Sequence, residues 1–136
     1  MALVVPDLGE IELLTKLLIN TNDTEDYIVR LYKNNYSPIN TTVVGDFTEA
    51  DFTNYTAKTI TRSDWASPST VATKAESSAT AQSWTCGITG NTLYGYYVIG
   101  STSGVCLWAE QFAASRILVD GDILNLTPKF TLSSAN

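Results

Sequence analysis

Histidine is absent from this chain of 136 residues, and charge is sparse: eight Lys and Arg and fourteen Asp and Glu give a net charge of -6 and 16% charged residues. Without histidine there is no Ser-His or Cys-His nucleophile pair, and most general-base designs are unavailable. The basic residues are scattered and never form a run. A nucleic-acid or anionic-membrane surface needs clustered Lys and Arg to neutralise phosphates, so neither partner is expected. Only two cysteines occur, Cys86 and Cys106, too few for a structural zinc site, which takes four Cys or His ligands. Long apolar runs are missing too: no segment approaches the length of a membrane span, and the N-terminus lacks a basic region followed by an uninterrupted apolar stretch. The expectation is a soluble, unprocessed chain with no cofactor.

What the chain has in abundance is strand and turn chemistry. Thr, Ser and Asn are frequent, and 44% of the residues are hydrophobic. The length suits one domain, spanning 1–136, with a core that needs no staples.

The stretch from Leu93 to Leu132 dominates the pattern. LYGYYVIGSTSGVCLWAEQF reads as two apolar runs joined by Gly100-Ser101-Thr102-Ser103-Gly104, a hairpin signal. With those residues as the loop, Ile99 faces Val105, Val98 faces Cys106, Tyr97 faces Leu107 and Tyr96 faces Trp108. A second loop at 87–91 puts Cys86 opposite Thr92 and Trp84 opposite Tyr94. Trp84, Tyr94, Tyr96 and Trp108 then share a face. In that register Cys86 and Cys106 sit on outer strands about 9 to 10 Å apart, too far for a disulfide, and free thiols are expected. A break at Gln111 to Ser115 precedes a final run in which Leu124, Leu126, Phe130 and Leu132 alternate with polar residues. Both faces of the middle strands are apolar, which suits the centre of a sandwich or a sheet covered on its second face by another chain. Ordinary core packing is the default account of these aromatics.

Upstream, Met1 to Pro6 is an apolar arm. Asp7 has the position of an N-cap, with Glu10 completing a capping box, and Leu8, Ile11, Leu14 and Leu18 recur at helical spacing with Leu13 and Leu17 beside them. An amphipathic helix over about 7–20 follows, packed by default on its own sheet. Asp26 to Lys33 alternates as a strand. Thr41 to Val44 reads as extended and Thr48 to Asp51 as a short capped turn of helix. Ala57 to Arg62 and Thr70 to Glu76 read as short strands around a loop that carries Trp65. The sum is a mainly β chain, an antiparallel β-sandwich or similar two-layer fold with one N-terminal α-helix and a β-rich body over 26–133.

Chemistry-bearing clusters are few. Asp46, Glu49 and Asp51, then Asp23, Glu25 and Asp26, then Asp120 and Asp122 around Gly121 all fall at expected turns or caps, where carboxylates serve local hydrogen bonds. The Asp120-Gly121-Asp122 triplet lacks the longer oxygen-ligand spacing of a calcium loop. No glycine-rich phosphate cradle occurs. The triplets headed by Asn22, Asn40, Asn54 and Asn125 match the glycosylation pattern as a chance product of composition. Trp65, Trp84, Tyr94 and Trp108 offer flat faces that would suit a sugar ring. No catalytic, metal or cofactor residue is assigned, and the chain reads as a non-enzyme.

The segments MALVVPDLGEIELLTKLL, YIVRLYKNNYSP, GDFTEADFTNYTAKTI, TLYGYYV, LWAEQF and DGDILNLTPKFTLS together resemble small structural proteins of tailed bacteriophages, most closely the capsid cement or decoration proteins. The resemblance implies a β-rich subunit on the outer surface of the head, made in the host cytoplasm, bound to the major capsid protein and assembled as a trimer, with a dimer as the other option. It brings no catalytic motif. A tail or fibre-base subunit is the first rival reading, and a carbohydrate-binding module on the virion surface is the second. For such a role the two-sided meander, with Tyr94, Tyr96 and Trp108, is the expected oligomer contact. The arm, with Leu3, Val4 and Val5, is the expected contact to the shell, unless it adds an edge strand to its own sheet.

Overall fold

The computed structural model describes residues 2–19 and 23–133. Met1 of the arm, Asn20 at the expected helix end and Thr21 and Asn22 of the turn lie outside the described residues. The chain is mainly β with antiparallel sheets and one α-helix near the N-terminus, as its alternating apolar pattern and turn residues dictate. A five-stranded sheet has the order β1-β8-β7-β2-β3, built from β1 (Leu3–Val4), β2 (Tyr27–Tyr32), β3 (Lys58–Ile60), β7 (Asn91–Gly100) and β8 (Cys106–Leu118). A three-stranded sheet joins β4 (Ser69–Val71), β5 (Lys74–Ser78) and β10 (Lys129–Leu132) in the order β10-β5-β4. A two-stranded sheet pairs β6 (Gln82–Thr85) with β9 (Ile123–Leu126).

Both faces of the large sheet are buried, as the two-sided apolar strands demand. On one face Val29, Leu31, Ile60, Leu93, Tyr96, Val98, Leu107 and Trp108 share a core with Ala79, Trp84, Leu124, Leu126 and Phe130 from the smaller sheets. On the other, Tyr32, Tyr97, Ile99, Cys106 and Ala109 are covered by Phe47, with Tyr36 and Val44 beside it. Phe47 stacks on Tyr97 with centroids 4.4 Å apart and planes 6° from parallel. The second face is therefore closed by the chain's own segment between β2 and β3. This segment contains a 3-10 turn at Val44–Asp46, where Thr41 to Val44 was expected to be extended. Thr48 to Asp51 is not a helical turn either; Glu49 bridges to Tyr32, and Ala50 N–H donates to the Leu31 carbonyl at 2.9 Å.

The hairpin register differs from the simple count. Ile99 pairs with Cys106, Val98 with Trp108, Tyr97 with Ala109 and Tyr96 with Glu110. One extra residue in the loop and an unpaired Leu107 account for the offset. The Leu107 bulge turns two consecutive residues, Leu107 and Trp108, into the same core, which strict alternation forbids. Farther along, Gly95 pairs with Gln111 and Leu93 with Arg116, so Phe112, Ala113, Ala114 and Ser115 oppose Tyr94 alone. The break expected at Gln111 to Ser115 is this bulge inside one strand.

Trp84 does not face Tyr94: β6 pairs with β9, placing Trp84 opposite Leu124 and Thr85 opposite Ile123. The loop after it is drawn away from β7 by Cys86 N–H to the Asp122 carbonyl at 2.8 Å and Gly87 N–H to the Thr53 carbonyl at 2.9 Å. Cys86 and Cys106 are both buried and free, on opposite faces of the large sheet. Thr70 to Glu76 forms a hairpin, β4 to β5, in place of one strand, with a tight turn at Ala72 (φ 55°) and Thr73. The last alternating run is split at Thr127-Pro128 between two sheets, since proline has no N–H for a ladder.

The helix α1 spans Asp7–Leu18. Pro6 occupies the cap position and no side chain caps the first turn, so the expected Asp7 capping box is absent. The Asp7 N–H instead donates to the Asn40 carbonyl at 2.7 Å. Gly9 sets the docking of α1: a Cβ there would stand 2.6 Å from the carbonyl oxygens of both Cys106 and Leu107. The helix thus lies against the start of β8, continuing the cover that β1 gives to Ala109 and Glu110.

Candidate functional site

Docking through Gly9 determines which side of α1 meets solvent. Gly9 is buried and Leu13 joins the main core. On the opposite side Leu8, Ile11, Leu14 and Leu18 stand 54 to 72% exposed, with Leu17 and Ile19 exposed beside them. The leucine periodicity seen in the sequence therefore does not describe the buried face. A helix apolar on both sides is ordinarily covered on both, so the outer stripe is a candidate docking surface.

The polar residues of α1 are committed elsewhere. Lys16 forms ion pairs with Glu12 at 3.4 Å, Asp23 at 3.1 Å and Glu25. Glu25 also accepts the N–H groups of Thr102 and Ser103 at the tip of the β7–β8 hairpin. Burial opposes charge on Lys16, yet hydrogen bonds to Glu25 and Asp23 outweigh it and hold the ammonium well above its ordinary value. Burial likewise opposes charge on Glu25 and Asp23. For Glu25, Lys16 and the two amides outweigh it; for Asp23, the Glu25 amide and Lys16 do, so both carboxyls fall below their usual range.

A second exposed apolar group lies at the other end of the hairpin. Ile117, Val119 and Ile123 are 58 to 71% exposed and Ile88 is 87% exposed, gathered where β7 begins and β8 ends. The length of β7, about 30 Å, separates this end from the hairpin tip, near which Gly9 of α1 docks.

Between α1 and the smaller sheets an open cleft of about 270 Å³ is lined by Leu13, Tyr27, Arg62, Trp65, Trp108 and Phe130. Tyr27 meets Trp65 edge to face at 6.1 Å, as Trp65 meets Trp108 at 5.9 Å, and Trp108 lies tilted against Phe130 at 4.9 Å. Arg62 is half-exposed at the rim and held by Asp23 at 2.8 Å. Trp65 carries an indole N–H that is buried and meets no acceptor among the described residues.

The residues singled out in the sequence fall into different places. Tyr96 and Trp108 are 2% and 3% exposed inside their own chain, so they are not available as an oligomer contact; Tyr94 is half-buried against the second core. Trp84 is fully enclosed and donates to the Thr56 carbonyl at 2.7 Å, which removes it from any sugar platform. Leu3 and Val4 pair with Glu110 and Ala109, and Leu3 and Val5 pack on the main core, so the arm does have a partner within the chain.

The carboxylates are occupied locally. Asp46 accepts the Val43 N–H at 2.8 Å, Glu49 pairs with Arg30 at 3.2 Å, Asp51 with Lys33 at 2.6 Å, and Asp122 accepts the Val119 N–H at 2.9 Å. Among the described residues no three metal-ligating side chains converge. No helix of the described residues is long and apolar enough to cross a membrane. No family model, curated protein or solved structure matches this chain.

Proposed function

We propose that this chain is a viral structural protein, a cement or decoration subunit that binds the outside of a bacteriophage head and stabilises the assembled lattice. One observation carries the reading: the subunit exposes two separate apolar surfaces, the α1 stripe and the Ile88, Ile117, Val119 and Ile123 group, at opposite ends of its longest hairpin. A protein that clamps a lattice needs one surface for its sisters and one for the shell, and patches of this kind mark protein contacts. The resemblance of the sequence to phage cement proteins supplies the partner, the major capsid protein. Binding to the assembled lattice in preference to free subunits stabilises it by mass action.

Purified protein mixed with bare heads tests this. Co-sedimentation and a raised disruption temperature are expected, and Ile88→Asp with Ile117→Asp should abolish both while leaving the fold intact. Heads that neither bind the protein nor gain heat tolerance would exclude the role. A protein that sediments only with tails would move it to the tail or fibre base.

A second reading has an observation of its own. The cleft beside Trp65 combines aromatic side chains with Arg62 on its rim, a combination that suits a single pyranose ring. Binding on a glycan array that Trp65→Ala abolishes would favour a carbohydrate-binding module on the virion surface.

A further inference from the structure

The outer face of α1 has the composition of a helix seam. Leu8, Ile11, Leu14 and Leu18 follow one another at three- and four-residue steps, with Asp7 in the stripe at the first turn and Glu10 at its border beside Leu14. Such spacing packs best into another helix of the same spacing. Among the described residues the chain has one α-helix, so no second helix of its own covers the seam.

We propose that the seam is covered by the same helix of a second copy, running antiparallel about a two-fold axis near Leu14. The seam supplies the apolar centre of such an interface. Leu8, Ile11, Leu14 and Leu18 together expose the equivalent of about two and a half residues. At the roughly 60 to 120 Å² that burial energies imply for each, they offer about 150 to 300 Å² of apolar surface, which Leu17 and Ile19 at the flanks enlarge. A standard interface of about 800 Å² per partner contains about 450 to 520 Å² of it.

Charge selects the direction. Each copy carries a net -6, so copies repel unless they meet through an uncharged surface. Asp7 and Glu10 crowd the first turn of α1. A parallel pair would set these acids side by side, whereas an antiparallel pair separates them by about the helix length of 18 Å, beyond the screening length of about 8 Å. Lys16, the one cation of the helix, is already bound within its own subunit and lies off the seam. The pairing leaves the Ile88 and Ile117 end free. It stands independently of the assignment to a virion, because it rests on the helix alone.

Light scattering after size exclusion should give twice the chain mass of 14.8 kDa. Leu14→Glu and Leu18→Glu, both at exposed positions, should weaken the dimer at least a hundredfold with an unchanged circular dichroism spectrum, while Ile117→Glu leaves it intact. Under mild oxidation Leu14→Cys should cross-link to itself, and Leu8→Cys should cross-link only when paired with Leu18→Cys. The native thiols are buried and do not interfere. A monomer, a trimer, or self-cross-linking of Leu8→Cys alone would overturn the proposal. Failure to bind particles would exclude the cement role and leave the dimer untouched.

Discussion

Lys16 gives its ammonium to Glu25, the same residue whose carboxylate accepts the amides of Thr102 and Ser103, so one ion pair ties α1 to the tip of the central hairpin. Lys16 and Glu25 are both largely withdrawn from water. Breaking one partner of such a pair leaves the other uncompensated, at a cost of about 3 kcal/mol. Glu25→Gln should lower the urea midpoint accordingly, measured by tryptophan fluorescence at pH 7.

The same pair predicts an acid limit. Glu25 and Asp23 have folded values below their unfolded ones, near pH 4, so their contribution is present above that range and is lost as pH falls through the folded values. Lys16 is shifted up, so its contribution is complete below about pH 10 and would fade only in strong alkali. Thermal midpoints taken from pH 7 to pH 2 should fall steeply below pH 4, and the fall should be shallower in Glu25→Gln. A midpoint flat to pH 2 in the native chain would contradict the ion-pair account.

Gly9→Ala should destabilise the protein even though alanine is the better helix former by about 1 kcal/mol. The added methyl meets the Cys106 and Leu107 carbonyls and pushes the helix off β8. A net loss of about 1 to 2 kcal/mol in chemical denaturation is expected, from overpacking less the propensity gain.

Ala72→Gly should act in the opposite sense. Ala72 holds a left-handed φ of 55° in the two-residue turn between β4 and β5, a conformation that costs an alanine about 1 kcal/mol and a glycine little. The variant should gain about 0.5 to 1 kcal/mol in stability, readable as a higher thermal midpoint.

Both thiols should be silent in the folded state. Burial, with Asp46 nearby, pushes Cys106 up to about 12, and burial with Asp120 and Asp122 raises Cys86. At pH 8 a thiol reagent should label neither until denaturant is added, and then both.

Much of the architecture was legible in the sequence because it follows from local chemistry: the two-faced apolar strands of the hairpin, the free cysteines and the helix near the N-terminus. The exact register was not, since Leu107 and the segment 112–115 insert residues that no alternation reveals. Neither was the cover on Tyr97, because Phe47 reaches it from an irregular segment whose path depends on distant contacts. The buried face of α1 was misread for a related reason. Periodicity finds the apolar residues of α1 but not which side faces inward, and here Gly9 and Leu13 take the inner place while Leu8, Leu14, Leu17 and Leu18 point out. A glycine amid good helix formers was the available signal.

The four-for-one mismatch at Phe112 to Ser115 interrupts the straight run of the β8 edge. Beside it, β1 and α1 shield the proximal rim of β8, while β3 at the far rim is only three residues long. Neither rim of the five-stranded sheet offers a long straight row of free amides and carbonyls, so that sheet is a poor template for a strand of another molecule.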